Sequence, residues 1–251
     1  MQLKHTYLKL ILCAILFSAV SAQGIVRGRH AALDSHQIYA GGRLGVGIPL
    51  SLGRSSDEIA FNDVASIGFA CKADVMWLAS PAICLGGELG FNKFPYKEQF
   101  WATLGQRGSF DANYRELSAG VLGRLVMGTY DVKPFLGIAV DAHLLMNELT
   151  FDSRFDGTMQ DESVKYKLTQ IKPGFGVETG IFFRAGDNTQ LSVAVRLNVL
   201  PFLDEEKMTT VDKDTFQESS VIVNPHGNQN NIEVLVGLHF RTKSDRKLKK
   251  H

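Results

Sequence analysis

After its first 22 residues, the 251-residue sequence lacks any long apolar run. A transmembrane helix needs about 20 mostly apolar residues, so a chain of this kind can enter a membrane only as strands. It also lacks an excess of charge of either sign, because 27 Lys and Arg face 26 Asp and Glu. This near balance argues against binding to nucleic acid.

Cysteine and the motifs of catalysis are scarce as well. Of the three cysteines, Cys13 lies in the apolar N-terminal stretch, and Cys71 and Cys84 flank a tight turn at unequal distances. Because the latter two point to opposite faces of their segments, we expect free thiols. There is no G-x-S-x-G motif, and the histidines lack metal-ligand spacing. We therefore predict no enzyme, no cofactor and no metal site.

The N-terminus has the pattern of a cleaved secretory signal. Lys4 and Lys9 precede an apolar run at 10–17, and small residues at Val20 to Ala22 match a signal peptidase site. Cleavage after Ala22 would remove this segment. The predicted organisation is a signal peptide at 1–22, a pre-barrel segment at 23–36, a barrel at 37–243 and a basic tail at 244–251.

Eight segments that alternate apolar and polar residues follow, and the gaps between them alternate between short and long. The predicted strands are 37–50, 64–78, 82–94, 114–128, 133–149, 166–185, 189–202 and 231–243. The short gaps are rich in turn residues, and the long gaps, near 51–63, 95–113, 150–165 and 203–230, are polar. This pattern predicts an all-β fold: an eight-stranded antiparallel up-and-down transmembrane β-barrel with short periplasmic turns and long extracellular loops.

Alternation alone does not say which face points inward. The polar faces carry many glycines, such as Gly41, Gly45, Gly86 and Gly90. Small residues suit the crowded interior of an eight-stranded barrel, so we expect the polar faces inside and the apolar faces in lipid. The opposite arrangement, a secreted lipocalin-like ligand carrier with an apolar cavity, is the alternative.

The inward faces are then strongly charged. We predict a lumen filled by a charge network because desolvated charges are costly unless they are paired. A short turn at 186–188 places Glu178 opposite Arg196. The predicted network comprises Arg43, Lys72, Asp74, Glu88, Glu116, Arg124, Asp141, His143, Lys172, Glu178, Arg184, Arg196 and Glu233, with His239 on the same inner face. A narrow channel for small solutes is the alternative if these charges separate around water.

The second long gap and the C-terminus offer candidate contact surfaces. Phe94, Tyr96, Phe100 and Trp101 are candidate loop contacts, although aromatics there also suit a membrane-interface girdle or a self-packed loop. The tail after Phe240 carries six Lys and Arg against one Asp. It suits anionic headgroups or a periplasmic partner, or a flexible solubilising end.

Two runs of residues add a resemblance to a known family. They are the glycine-rich run Gly41-Gly42-Arg43-Leu44-Gly45-Val46-Gly47 and the closing run Val234-Leu235-Val236-Gly237-Leu238-His239-Phe240. With the signal peptide and the Gln23 start, they make residues 36 to 243 resemble the PorT-like outer-membrane β-barrel family. The resemblance implies a Gram-negative outer membrane, contact with its lipid and lipopolysaccharide, and insertion by the barrel-assembly machinery, which reads a terminal aromatic such as Phe240. We predict a non-enzymatic integral protein whose loops have structural or binding roles.

Overall fold

The structure is a computed structural model that describes residues 37–50, 61–97, 108–128, 131–153, 162–200, 206–212, 218–223 and 229–242. Its strands are β1 Ile38–Pro49, β2 Gly68–Ser80, β3 Ile83–Pro95, β4 Gly108–Val126, β5 Val132–Ser153, β6 Glu162–Arg184, β7 Thr189–Val199, β8 Glu206–Asp212, β9 Glu218–Val223 and β10 Asn231–Thr242, with one helix, α1, at Phe61–Val64. No helix in these ranges is long and apolar enough to cross a membrane. The predicted signal peptide, pre-barrel segment and basic tail lie outside the described residues.

Eight antiparallel strands close into a barrel, as predicted. The hydrogen-bonded order runs β5-β4-β3-β2-β1-β10-β7-β6, and pairing between β5 and β6 closes the ring. The first and last barrel strands meet along their whole length, from Ile38 opposite Thr242 to Pro49 opposite Asn231. Short joins link β2 to β3, β4 to β5 and β6 to β7 at one end, here called the turn end. The opposite end is called the loop end.

The barrel is apolar outside and charged inside. Outward side chains such as Ile171, Val121 and Leu89 are 72%, 66% and 64% exposed, whereas Arg196 and Glu233 are fully buried. An apolar exterior this extensive is unfavourable in water and suits a hydrocarbon surround. The lipocalin-like alternative is therefore wrong, because it needs the apolar faces to line the interior.

The two cysteines follow the same alternation of faces. Cys71 lies on the outward face of β2 and is half-buried, whereas Cys84 lies on the inward face of β3 and is buried. Both are free thiols, as predicted.

Several strands continue past the barrel at the loop end. The hairpin of β8 and β9 adds to the far end of β6, where Glu162 lies opposite Asp212 and Tyr166 opposite Met208. The long polar gap predicted near 203–230 is therefore not all loop, because it contains β8 and β9. Alternation of apolar and polar residues marks only the part of a strand that faces lipid. Strands that pair beyond the barrel have no apolar face to reveal them in the sequence.

The start of the second predicted strand is also corrected. Residues 61–64 form α1, and β2 begins at Gly68 rather than at residue 64. Residues 61–64 therefore lie in the barrel mouth, next to Phe94 and Tyr114. Strand β4, by contrast, starts at Gly108 and is longer than predicted.

Two inward glycines make room for two inward histidines. A Cβ added at Gly41 would overlap the His239 ring, and one added at Gly174 would overlap the His143 ring. Glycine is thus needed at both positions for close approach rather than for backbone conformation. At these two positions, the glycines of the inner faces have a specific packing role.

Candidate functional site in the barrel lumen

Arg43 on β1 lies at the centre of the charge network. Its guanidinium donates to Glu178 and to Glu88, each at 2.9 Å, and lies 3.2 Å from Asp74. These three carboxylates come from β6, β3 and β2. One fully buried cation therefore ties together strands from different sides of the barrel, with charge-assisted hydrogen bonds that are stronger than neutral ones.

Arg124 on β4 connects this centre to the turn end. It donates to Glu178 and, at 3.1 Å, to Asp74. Its guanidinium carbon also lies 5.1 Å from the ring centroid of Phe135 and 5.7 Å from that of Phe182. Arg124 thus joins the charged layer to aromatic rings through cation–π contact.

Arg196 on β7 holds the other side of the network. It donates to Glu88 and Asp141, and its Nε donates to the Asn198 side chain at 2.7 Å. Glu178 lies directly opposite Arg196 in the ladder between β6 and β7, which confirms the predicted register. Across the other neighbour, β10, the residue opposite Arg196 is Glu233.

Lys72 and two histidines complete the set. The Lys72 ammonium lies 3.3 Å from Glu233 and 3.7 Å from Glu88. His143 Nδ1 lies 2.6 Å from a Glu116 oxygen, and His239 Nε2 lies 3.0 Å from an Asp74 oxygen.

Two residues of the predicted network are less buried than the others. The Arg184 side chain is 56% exposed at the turn end, where it donates to Asp187 at 2.9 Å, so its placement in the lumen is wrong. Lys172 is on the inner face of β6 but is only half-buried, toward the loop end. The period of a strand gives the face of a residue and not its depth along the barrel. The other eleven predicted residues are all buried together.

An apolar cluster fills the lumen at the turn end. Phe135 and Phe182 stack with ring centroids 4.5 Å apart, and Phe182 meets His239 edge-on at 5.3 Å. The members of this cluster are Tyr39, Met76, Leu78, Cys84, Val126, Phe135, Phe182 and Ala194. It separates the charged layer from the solvent at that end.

A second apolar cluster lies at the loop end and is built on α1. Phe61 packs edge-on against Phe94 at 5.3 Å and against Tyr114 at 5.5 Å, with Val64 and Ala65 also buried. Phe94 is only 1% exposed, which agrees with the self-packed alternative for these aromatics and not with a loop contact. It occupies an inward position of β3 and faces Gly47, where a Cβ would lie 2.7 Å from its ring.

The remaining candidate loop contacts have different outcomes. Tyr96 is half-buried against the same cluster. Phe100 and Trp101 lie outside the described residues.

A layer of amides, which sequence reasoning missed, lies between the charges and the loop-end cluster. Asn92 donates to Glu233 at 2.8 Å, and Asn198 donates to Asn231 at 2.8 Å. Asn230 accepts from the backbone of Leu200 at 2.9 Å. These asparagines are buried, and their inward positions in the alternation were the available signal. The lumen is therefore occupied by polar and apolar side chains from one end to the other.

Comparison with known proteins agrees with this architecture. No family model matches the sequence, and no curated protein matches it. A solved major outer membrane protein from Thermus thermophilus is 12% identical, covers 85% of this chain and 100% of its own, and gives a TM-score of 0.53. The fold is that of an outer-membrane β-barrel.

Two further solved barrels are similar over comparable lengths. Neisserial surface protein A is 16% identical, with 82% of this chain and 97% of that chain covered and a TM-score of 0.45. The outer membrane protease OmpT from Escherichia coli is 10% identical, with the same coverages and a TM-score of 0.48. Likenesses at this level carry no statement about the activity of this barrel.

Proposed function

We propose that the protein is a non-enzymatic integral outer-membrane protein with a sealed, non-conducting barrel that presents a contact surface at its loop end. The observation that carries this proposal is the inverted barrel, with an apolar exterior and a lumen of mutually paired charges between two apolar clusters. Buried charges that contact one another between two apolar clusters leave little room for a continuous water path. In this orientation the turn end is periplasmic and the loop end is extracellular.

The exterior supports contact with lipid at two levels. Trp77 and Phe240 are 43% and 54% exposed on the outward faces of β2 and β10, toward the turn end. Toward the loop end, Lys93 on β3 and Arg115 on β4 are exposed, point outward and lie directly opposite each other. Like charges in this position repel, and an anionic headgroup between them would offset the repulsion. We assign this pair to the phosphates of outer-leaflet lipopolysaccharide.

The strand extensions supply the surface for a binding role. Beyond the barrel, β4, β5, β6, β8 and β9 form a continuous antiparallel sheet at the loop end. A sheet on a rigid barrel holds a fixed shape, which suits recognition of an extracellular partner. The basic tail would serve a periplasmic partner on the opposite side.

The two segments that resemble the PorT-like family are neighbours in the barrel. Arg43 lies opposite Gly237, and Gly41 opposite His239, in the ladder between β1 and β10. Membership of that family and insertion by the barrel-assembly machinery both require this closure of the first strand on the last. F240A should slow the appearance of the folded, heat-modifiable form in cells, whereas L238A, a neighbouring outward residue on β10, should not. Equal rates would argue against recognition of Phe240.

Conductance in planar lipid bilayers tests the sealed lumen. The protein is purified from the outer-membrane fraction and shown to be folded by the shift of its gel mobility on boiling. We expect no steady ion current at either voltage polarity. A reproducible unitary current from the folded protein would favour the narrow-channel alternative, and a protein found only in soluble fractions would overturn the membrane assignment.

A further inference from the structure

A groove crosses the apolar exterior of the barrel. It runs obliquely from Ile83 on β3, over β4 to β7, to Ile232 on β10, and has a volume of about 620 Å³. At its floor, Gly123 leaves open space, because an added Cβ would meet nothing closer than 3.7 Å. The outward side chains that line the groove are apolar except Thr179, whose hydroxyl donates to the Phe135 carbonyl oxygen at 3.4 Å. The groove therefore presents an apolar surface.

Outward valines show that the exterior is concave along the groove. Val177 on β6 and Val195 on β7 line it and are each 41% exposed, whereas Val121 on β4 and Val140 on β5 lie outside it and are 66% and 57% exposed. The same side chain thus loses more of its surface to neighbouring residues inside the groove. A ligand in the groove would contact side chains from several strands at once, and dispersion contacts of this kind add up.

The groove crosses β5 and β6 in the half of the barrel next to the turn end. Leu136 and Ile138 line it on β5, and their partners in the ladder, Thr179 and Val177, line it on β6. Ile138 is five residues along β5 from Lys133, which lies at the turn end. Five residues of a strand span roughly 17 Å, and the hydrocarbon of one leaflet is about 15 Å deep. This part of the groove therefore has the length of an acyl chain in one leaflet.

A cluster of both charge signs lies at the turn end of the same two strands. Arg184, at the end of β6, donates to Asp187 at 2.9 Å and lies 4.0 Å from Asp131. Lys133, near the start of β5, interacts with the charges of Arg184 and Asp131. The side chains of Arg184, Asp131 and Asp187 are 56%, 76% and 94% exposed. Exposed ion pairs contribute little to stability, so these groups can turn to a ligand at small cost.

We propose that the groove and this cluster form one binding site for a phospholipid whose headgroup carries both a phosphate and an amine. An acyl chain lies in the groove, the phosphate accepts hydrogen bonds from Arg184 and Lys133, and the amine donates to Asp131 and Asp187. The two carboxylates disfavour a headgroup that carries only negative charge. The inference rests on the proposed function only for the name of the leaflet, which is the periplasmic one in that orientation.

The shape of the groove favours a lipid chain over a second copy of the barrel. In a symmetric dimer, a two-fold axis places the same surface patch of both copies face to face. Two concave surfaces that meet in this way leave a space between them, and protein interfaces are closely packed. A flexible acyl chain can follow the oblique course of the groove and fill it. The position of the charged cluster at the end of β5 and β6 then fits the headgroup of the same molecule.

Native mass spectrometry tests the groove. The barrel is reconstituted with phosphatidylethanolamine and released in mild detergent, and its folding is checked by the shift of its gel mobility on boiling. We expect one retained phospholipid per folded barrel. G123F, which fills the groove, should lose it, whereas the control G87F, at an outward glycine of β3 outside the groove with similar space at 3.6 Å, should keep it. Equal retention in both variants, no retention by the parent, or a dimer that only G123F abolishes would overturn the proposal.

Competition between headgroups tests the charged cluster. The parent should prefer phosphatidylethanolamine to diacylglycerol, which lacks the phosphate, and to phosphatidylglycerol, which lacks the amine. K133Q/R184Q should lower the affinity for phosphatidylethanolamine about tenfold or more, the effect of losing a charge-assisted hydrogen bond, and D131N/D187N should remove the preference over phosphatidylglycerol. Unchanged preferences in both double variants would overturn the headgroup assignment. The sealed lumen is tested separately by the absence of ion current, so either conclusion can fail without the other.

Discussion

Removing the Arg196 guanidinium should strongly destabilise the barrel. This side chain is fully buried and donates to Glu88, Asp141 and Asn198. R196M keeps much of the volume but leaves the two carboxylates without their closest cation. Breaking a buried ion pair by removing one partner costs about 3–5 kcal/mol, which lowers the folded-to-unfolded ratio by roughly 10² to 10³ or more.

Urea unfolding in detergent micelles measures this loss. Trp77, on the outward face of β2, reports on unfolding by its fluorescence in a W101F background. The matched control is R184M, because the Arg184 side chain is 56% exposed and its partner Asp187 is 94% exposed. An exposed pair contributes about 0–1 kcal/mol. The reasoning is refuted if R196M unfolds within about 1 kcal/mol of the parent, or if R184M loses as much as R196M.

Two further predictions concern packing and use the same unfolding assay. A Cβ at Gly45 would overlap the Val234 carbonyl oxygen, so G45A should lower the free energy of unfolding by about 1–3 kcal/mol. The control G42A, whose nearest new contact is at 3.9 Å, should leave stability nearly unchanged. Equal effects of the two substitutions would contradict the close approach of β1 and β10. F94A should lower the free energy of unfolding by about 3–5 kcal/mol and expose α1 to added protease. The control F69A, at a side chain 48% exposed on the outer face of β2, should lower it less and leave α1 protected. Protection of α1 in F94A would argue against the loop-end cluster.

Much of the barrel could be predicted because one periodicity fixes many properties of a strand. Alternation located all eight barrel strands and gave the facing of residues such as Asp141 inside and Val140 outside. It also fixed the register of Glu178 with Arg196 through the short turn between them. Where one face is apolar and the other polar, a shift of one residue would reverse every side chain, so the pattern is strongly determined.

What could not be predicted depends on position along the barrel or on contacts distant in sequence. Arg184 shares the inner parity of Glu178 but lies at the turn end, where it reaches water. Phe94 ends a predicted strand and is a candidate loop contact, yet it is an inward residue covered by α1, and the four residues of α1 are too few to show a helical period. The pairing of β8 with β6 joins segments separated by a full hairpin, and local sequence does not encode such partners.

The depth of each inward cation became visible only in the structure. From the sequence alone, Lys172 and Arg184 made six cations match six carboxylates. The structure places Arg184 at the exposed turn end and leaves Lys172 half-buried, so that among the described residues four Lys or Arg side chains are buried in the lumen.

Tryptophan quenching by brominated lipids tests the central claim, the inverted barrel in a bilayer, most directly. In a background without native tryptophan, V140W places the probe on the outward face, where Val140 is 57% exposed, and F135W places it inside, where Phe135 is fully buried. Both variants substitute one side chain on β5. Strong quenching of V140W with little quenching of F135W is the predicted result. Strong quenching of F135W with little of V140W, or none of either, would contradict the account.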